Sequence, residues 1–182
     1  ARHISAHDAE RKAIAATRRR RETRDMGVEL DDALAPALDA ATLIAYAQGF
    51  ALIAAAAREY SWQTDLAEVA RVWRAGCIVR AECLGAIADA FRASAERSNL
   101  LLSPAIAGRI AHGATDLRRL VSTGMMHGIA MPALASALAW YDAYGDARLW
   151  TALIQAQRDR FGQHGFERID RPGRYHHDGG AA

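Results

Sequence analysis

Apolar residues return at three- and four-residue intervals along most of the chain, and no stretch sustains the alternation of a strand. In residues 1–16, Ile4, Ala9, Ala13 and Ile14 alternate with charge and no capping residue precedes them, so the segment reads as the end of a longer helix. A long helix is expected from about Asp32 to Pro36, where proline suits a first turn, to about Tyr60. Within it Tyr46, Gly49, Phe50 and Ile53 share a face, and Gly49 would let a second helix come close. After a break at Trp62, a second long helix is expected from about Leu66 to Ala95, running through Trp73–Arg80. Ser103-Pro104 has the form of an N-cap and first helical position, ahead of Ile106, Ile110, Leu117 and Leu120. Met131-Pro132 opens another helix, with Leu134, Leu138, Trp140 and Tyr141, that weakens at Gly145. Beyond Phe166 the periodicity ends, and Arg171-Pro172-Gly173 marks a turn. The fold class expected is all-α: a bundle of long packed helices with an extended C-terminal tail.

Composition sharpens this picture. Just over half of the 182 residues (51%) are hydrophobic, alanine dominates them, and only four prolines occur, which favours helices packed closely through small side chains. The most apolar stretch, Ala40 to Ala57, is interrupted by Tyr46, Gln48 and Gly49, short of the roughly 18 residues of a membrane span, and reads as a buried helix. A net charge of +2 argues for neither nucleic acid nor membrane. The basic run Arg18–Arg21 carries no interleaved aromatics and is followed by Asp25, Glu29, Asp31 and Asp32, so a solvated loop is expected rather than a nucleic-acid contact. Cys77 and Cys83 lack a CxxC spacing and are expected as buried thiols of a reducing cytoplasm, and no secretory signal pattern opens the sequence. Arg74 and Arg80, in an apolar setting, are expected to form structural ion pairs.

The candidate chemistry lies near the C-terminus. Leu153, Ile154, Gln157 and Phe161 keep helical spacing, and Gly162 would end the helix by taking positive φ. Continuous helix would set Arg158 and His164 about 240° apart. A turn at Gly162 would instead return His164 to the helix end, where guanidinium and imidazole make an anion site for a phosphate or carboxylate. The plainer alternative is a basic turn that complements the helix dipole. His3 and His7 stand four apart, but no third ligand is placed and HExxH is absent, so no metal is expected. The sequence also holds no G-x-S-x-G, no P-loop and no G-x-G-x-x-G.

The run Ile154-Gln155-Ala156-Gln157-Arg158-Asp159-Arg160-Phe161-Gly162-Gln163-His164-Gly165-Phe166 resembles the C-terminal signature of 6-phosphogluconate dehydrogenases, approximately IQAQRDYFGAHTY. Tyr46–Phe50, Trp73–Arg80, Asn99–Leu102, Gly128–Pro132 and Tyr141-Asp142 occur in that family's order. The resemblance implies that residues 1–166 form the C-terminal helical domain, starting mid-helix, and 167–182 its tail. It implies an enzyme in which NADP takes hydride from 6-phosphogluconate, the 3-keto intermediate loses CO2, and protonation yields ribulose 5-phosphate. The Rossmann domain, a lysine acting as base and then acid, and a glutamate proton donor all precede the matched stretch, so this chain alone is expected to be inactive. Carried over are Arg2, from a run like FAR-LS, together with Arg158 and His164 as substrate-binding residues. The last two would reach the partner subunit's active site in a homodimer. For Arg2 the alternative is a frayed terminal arginine. Departures are Arg160 for tyrosine, Gln163 for alanine, Gly165 for threonine and Phe166 for tyrosine; Arg160 is expected as a solvated helix-face residue. Trp150 stands near where the family has a proline, so the helix before it is expected to run on more smoothly into Leu153–Phe161. Tyr175-His176 resembles an aromatic–histidine pair of the family tail, without the tryptophan that follows it there. The alternative function is a freestanding helical module that dimerises or binds a sugar phosphate without turnover.

Overall fold

The computed structural model describes residues 2–17, 30–94 and 98–177, in two compact units, Ala1–Leu138 and Ala139–Ala182. The basic run Arg18–Arg21 and the side chain of Arg2 lie outside the described residues.

The first unit opens with two short helices, α1 (Arg2–Ala6) and α2 (Asp8–Thr17), where one helix end was expected; the helix is interrupted at His7. Its core is built on α3 (Asp31–Glu59) and α6 (Pro104–Met126). By length and composition α3 could cross a membrane, with a mean hydropathy of 1.6 over its most apolar window. In this fold that apolarity serves packing: Ala33, Ala37, Ala40, Ile44, Ala47, Phe50 and Ala54 recur every three or four residues and are buried. Opposite them α6 buries Ile106, Ile110, Leu117 and Val121. Each large side chain taken fully out of water contributes about 1.5–3 kcal/mol, and the alanines let the two backbones approach.

The glycine that admits a close helix approach is Gly113, not the expected Gly49. A Cβ on Gly113 would stand 2.1 Å from the Pro36 carbonyl oxygen and 3.0 Å from the Ala40 Cβ, whereas one on Gly49 would meet nothing within 4 Å. Proline lacks an N–H but keeps its carbonyl, and Gly113 leaves room for it. Beside this contact Arg109 grips Asp39 through two bonds of 2.6 and 3.3 Å, half exposed and hence of modest worth.

The stretch expected as one helix over Leu66–Ala95 is instead two, α4 (Leu66–Trp73) and α5 (Leu84–Arg92). Between them the chain is irregular, with Gly76 at φ +71°. The reason lies outside the segment. Trp73 packs on Phe50 (ring centres 5.2 Å apart) and Tyr46 (6.4 Å), Phe91 packs on the other side of the cluster against Phe50 (5.1 Å), and the Tyr46 hydroxyl donates to the Val79 carbonyl. That bond satisfies a carbonyl which a continued helix would have used internally. Arg74 and Arg80 are exposed and have no ion-pair partner among the described residues, contrary to expectation, because the irregular segment turns them to solvent. Cys83 is buried, which pushes its thiol pKa up, but Cys77 is only half-buried.

Asp65 caps α4 by accepting from the Ala67 and Glu68 amides (2.8 and 3.2 Å). Pro104 opens α6 as expected, with Ser103 at the N-cap position, yet the Ser103 side chain makes no capping bond. The capping carboxamide in this region is that of Asn99, which accepts from Leu101 (2.9 Å) and starts a 3-10 turn at Leu100–Leu102. The chain then forms α7 (Pro132–Gly145).

In the second unit, α8 (Thr151–Gly162) is separated from α7 by a break at residues 146–150. The smoother continuation expected from Trp150 does not occur, because Asp146 turns its carboxylate onto the Arg148 amide (2.9 Å) and starts a non-helical turn. After α8 two residues each of β1 (Phe166–Glu167) and β2 (Arg174–Tyr175) pair antiparallel, Phe166 with Tyr175 and Glu167 with Arg174, around the expected turn at Arg171–Gly173. The class is all-α apart from this short ladder.

The two glycines should respond in opposite directions. Gly113→Ala is expected to lower the unfolding free energy by about 1–3 kcal/mol through overpacking, while Gly49→Ala should raise it by up to about 1 kcal/mol through helix propensity; urea titration followed by circular dichroism reads both. In the same assay Asp65→Ala should cost about 1 kcal/mol, the worth of one N-cap.

Candidate functional site

The end of α8 carries the candidate chemistry. Gly162 is the last helical residue rather than the turn residue. The left-handed position belongs to Gln163 (φ 49°, ψ 40°), whose amide still reaches the Asp159 carbonyl at 2.8 Å. Gly162 matters for space: a Cβ there would sit 3.0 Å from His164 Nε2 and 3.1 Å from its Cδ2. The imidazole is thus folded back over the helix end, as the turn was expected to bring it, though the turn is made one residue later. Gly162 follows Arg158 by one helical turn on the same face of α8. The His164 ring and the Arg158 side chain therefore belong to the same side of the helix terminus.

Both side chains are exposed, and among the described residues neither has a hydrogen-bond or ion-pair partner. A guanidinium and an imidazole left unengaged at the surface can bind an anion without first breaking another bond. A cavity of about 570 Å³ in this unit is lined by Ala152, Gln155, Ala156, Phe166, Glu167 and Arg174, together with Gly165, and not by Arg158 or His164. The guanidinium and the imidazole are both exposed at the end of α8. Arg160 is exposed and unpartnered among the described residues, a solvated helix-face arginine as expected. Among the described residues no group of three or more metal-ligating side chains comes together.

What sequence reasoning missed is Asp159. It is 2% exposed, the most buried charged side chain among the described residues. Its carboxylate accepts from the His177 amide (2.5 Å), from the Gly165 amide (2.7 Å) and from Nδ1 of His176 (2.9 Å). The His177 amide, followed by those other donors, holds its pKa below the usual carboxylate value against the opposing effect of burial. One signal was available: an aspartate in the last turn of a helix faces the unfavourable end of the dipole and needs donors of its own.

The tail completes the arrangement. The Arg174 guanidinium donates to the His164 carbonyl through Nε (3.0 Å) and Nη2, and Gln155 donates to the Gly165 carbonyl (2.5 Å). Gly165 is itself left-handed (φ +74°), and a Cβ there would collide with the Arg174 side chain at 2.5 Å. Further along, Tyr175 bonds the Pro172 carbonyl (2.9 Å) and lies beneath the guanidinium groups of Arg168 and Arg171, at 5.6 and 5.1 Å.

The family described as 6-phosphogluconate dehydrogenase, C-terminal domain, matches residues 1–179. The chain is 43% identical over 148 residues to the decarboxylating 6-phosphogluconate dehydrogenase of Drosophila melanogaster, covering 81% of this chain and 31% of that protein. With the human enzyme of the same description it shares 44% over 141 residues, 78% of this chain and 29% of that one. Among solved structures it is similar to the Plasmodium falciparum 6-phosphogluconate dehydrogenase, described in its apo form and in complexes with NADP+ and with 6-phosphogluconate. The TM-score is 0.89 at 31% identity, over 97% of this chain and 38% of that one. The chain thus spans about three-tenths of the length of the curated relatives it matches. On the match that runs through both units and takes in the Arg158–His164 turn, the chain belongs to the 6-phosphogluconate dehydrogenase family, within its C-terminal domain.

Proposed function

We propose that this chain is the substrate-clamping C-terminal part of an NADP-dependent enzyme that oxidatively decarboxylates 6-phosphogluconate to ribulose 5-phosphate and CO2. Residues 167–182 would form its tail. The observation that carries the reading is the unengaged Arg158 guanidinium and His164 imidazole at one end of α8, in a chain of this family. A phosphate dianion is matched by the two N–H groups of a guanidinium fork and by an imidazole N–H, each charge-assisted bond contributing about 1.5–3 kcal/mol. The C-terminal dipole of α8 opposes an anion there, so the side-chain charges must outweigh it. Arg2 is proposed as a further contact to the same phosphate, on its alignment with a family arginine.

The openness of the Arg158–His164 surface favours completion of the pocket by a second subunit, so the active form proposed is a homodimer in which these residues enter the partner's site. The residues present do not build a dinucleotide site, since no G-x-G-x-x-G occurs. NADP is therefore assigned to another part of the complete enzyme, and residues 1–182 alone are proposed to be inactive. A cytoplasmic setting accords with two free thiols.

In a complete enzyme carrying this domain, Arg158→Ala should raise the KM for 6-phosphogluconate by about tenfold or more, the worth of one charge-assisted contact. The KM for NADP should stay nearly constant. Steady-state kinetics with each substrate varied in turn measures both, and an unaltered KM for 6-phosphogluconate would overturn the clamp.

A further inference from the structure

We infer that Asp159 is a positioning residue for His164, a role that rests on the substrate-clamp reading above. The geometry is bilateral. The residue before His164 gives its amide to the Asp159 main-chain carbonyl (Gln163, 2.8 Å), and the residue after it gives its amide to the Asp159 carboxylate (Gly165, 2.7 Å). His164 is therefore bracketed by two hydrogen bonds to one residue. The bracketing matters because Gln163 holds a left-handed conformation that is unfavourable for a non-glycine residue and persists only when its surroundings fix it.

The same carboxylate also receives the tail through the His177 amide and the His176 ring, while Arg174 seizes the His164 carbonyl from the other direction. Asp159 is next in sequence to Arg158 but is buried with three donors around it, so its charge is occupied internally and is not presented to an incoming phosphate. It touches no substrate in this reading. It acts through the turn, by setting where the imidazole stands relative to the end of α8. The tail residues 174–177 reinforce the setting from outside.

The test uses the complete enzyme with Asp159→Ala, Asp159→Asn, His164→Ala and the Asp159→Ala/His164→Ala pair, each checked for folding by thermal melting. Asp159→Ala should raise the KM for 6-phosphogluconate about tenfold, with the KM for NADP unmoved. In the His164→Ala background the same change should add little, since a residue that acts only through His164 has nothing left to position. Asp159→Asn keeps one oxygen for the Gly165 amide and should recover much of the loss. Where His164→Ala itself raises the KM, full additivity of the two alanine changes, or a normal KM in Asp159→Ala, would refute the role. Hydrogen exchange on peptides spanning 161–166 supplies a readout independent of substrate, and Asp159→Ala should accelerate it about tenfold or more. If exchange accelerates while Arg158→Ala and His164→Ala leave KM unchanged, the clamp reading fails and the positioning of the turn stands. If exchange is unaltered, the positioning itself is refuted.

Discussion

A carboxylate removed from water has to be surrounded by donors, and the second unit is arranged around meeting that demand at Asp159. Helix α8 supplies none, because the last turn of a helix offers carbonyls and not amides. The donors must come from chain that has left the helix and returned. They do: Gly165 from the turn, His176 and His177 from the tail. The irregular C-terminal segment is thereby given a fixed place despite lacking a sizeable apolar core, and the left-handed Gln163 and Gly165 are consequences of bringing those amides within reach. The exposed Arg158 and His164 owe their common location to the same constraint.

The first unit is held by a different device. Its long helix α3 is mostly alanine along the buried face, so stabilisation comes from close backbone approach with a few large side chains, Leu43, Ile44 and Phe50, filling what remains. Gly113 against Pro36 is one point of that contact where a Cβ would not fit. The aromatic group of Tyr46, Phe50, Trp73 and Phe91 then fastens α4, α5 and the irregular stretch between them onto α3.

Local signals carried a good part of this. Apolar periodicity predicts a helix from about Asp32–Pro36 to Tyr60, and α3 runs Asp31–Glu59 with Pro36 inside it rather than in its first turn; Pro104 and Pro132 each open a helix as a first-turn proline should. Arg158 and His164 stood out because a basic residue, a glycine and a histidine in that order suggest a returning turn. What stayed hidden depends on partners distant in sequence. Nothing near Gly76 reveals that Tyr46 will claim the Val79 carbonyl, so the stretch reads as helix. Nothing near Gly49 or Gly113 says which of them will meet another backbone. Asp159 looks like one more charge in an Arg-Asp-Arg run until residues up to 18 positions away converge on it.

Both Gly165 and His177 end on one carboxylate, so the segment between them is a closed loop without a covalent bond. Closing a loop costs entropy that grows only with the logarithm of its length, roughly 0.6 kcal/mol for each doubling. The far end of this loop, around Ile169 to Pro172, is exposed and is free to lengthen or vary among relatives at little cost. Its two points of closure are not, and variation in the tail should therefore be read by whether it reaches Asp159, whatever its length.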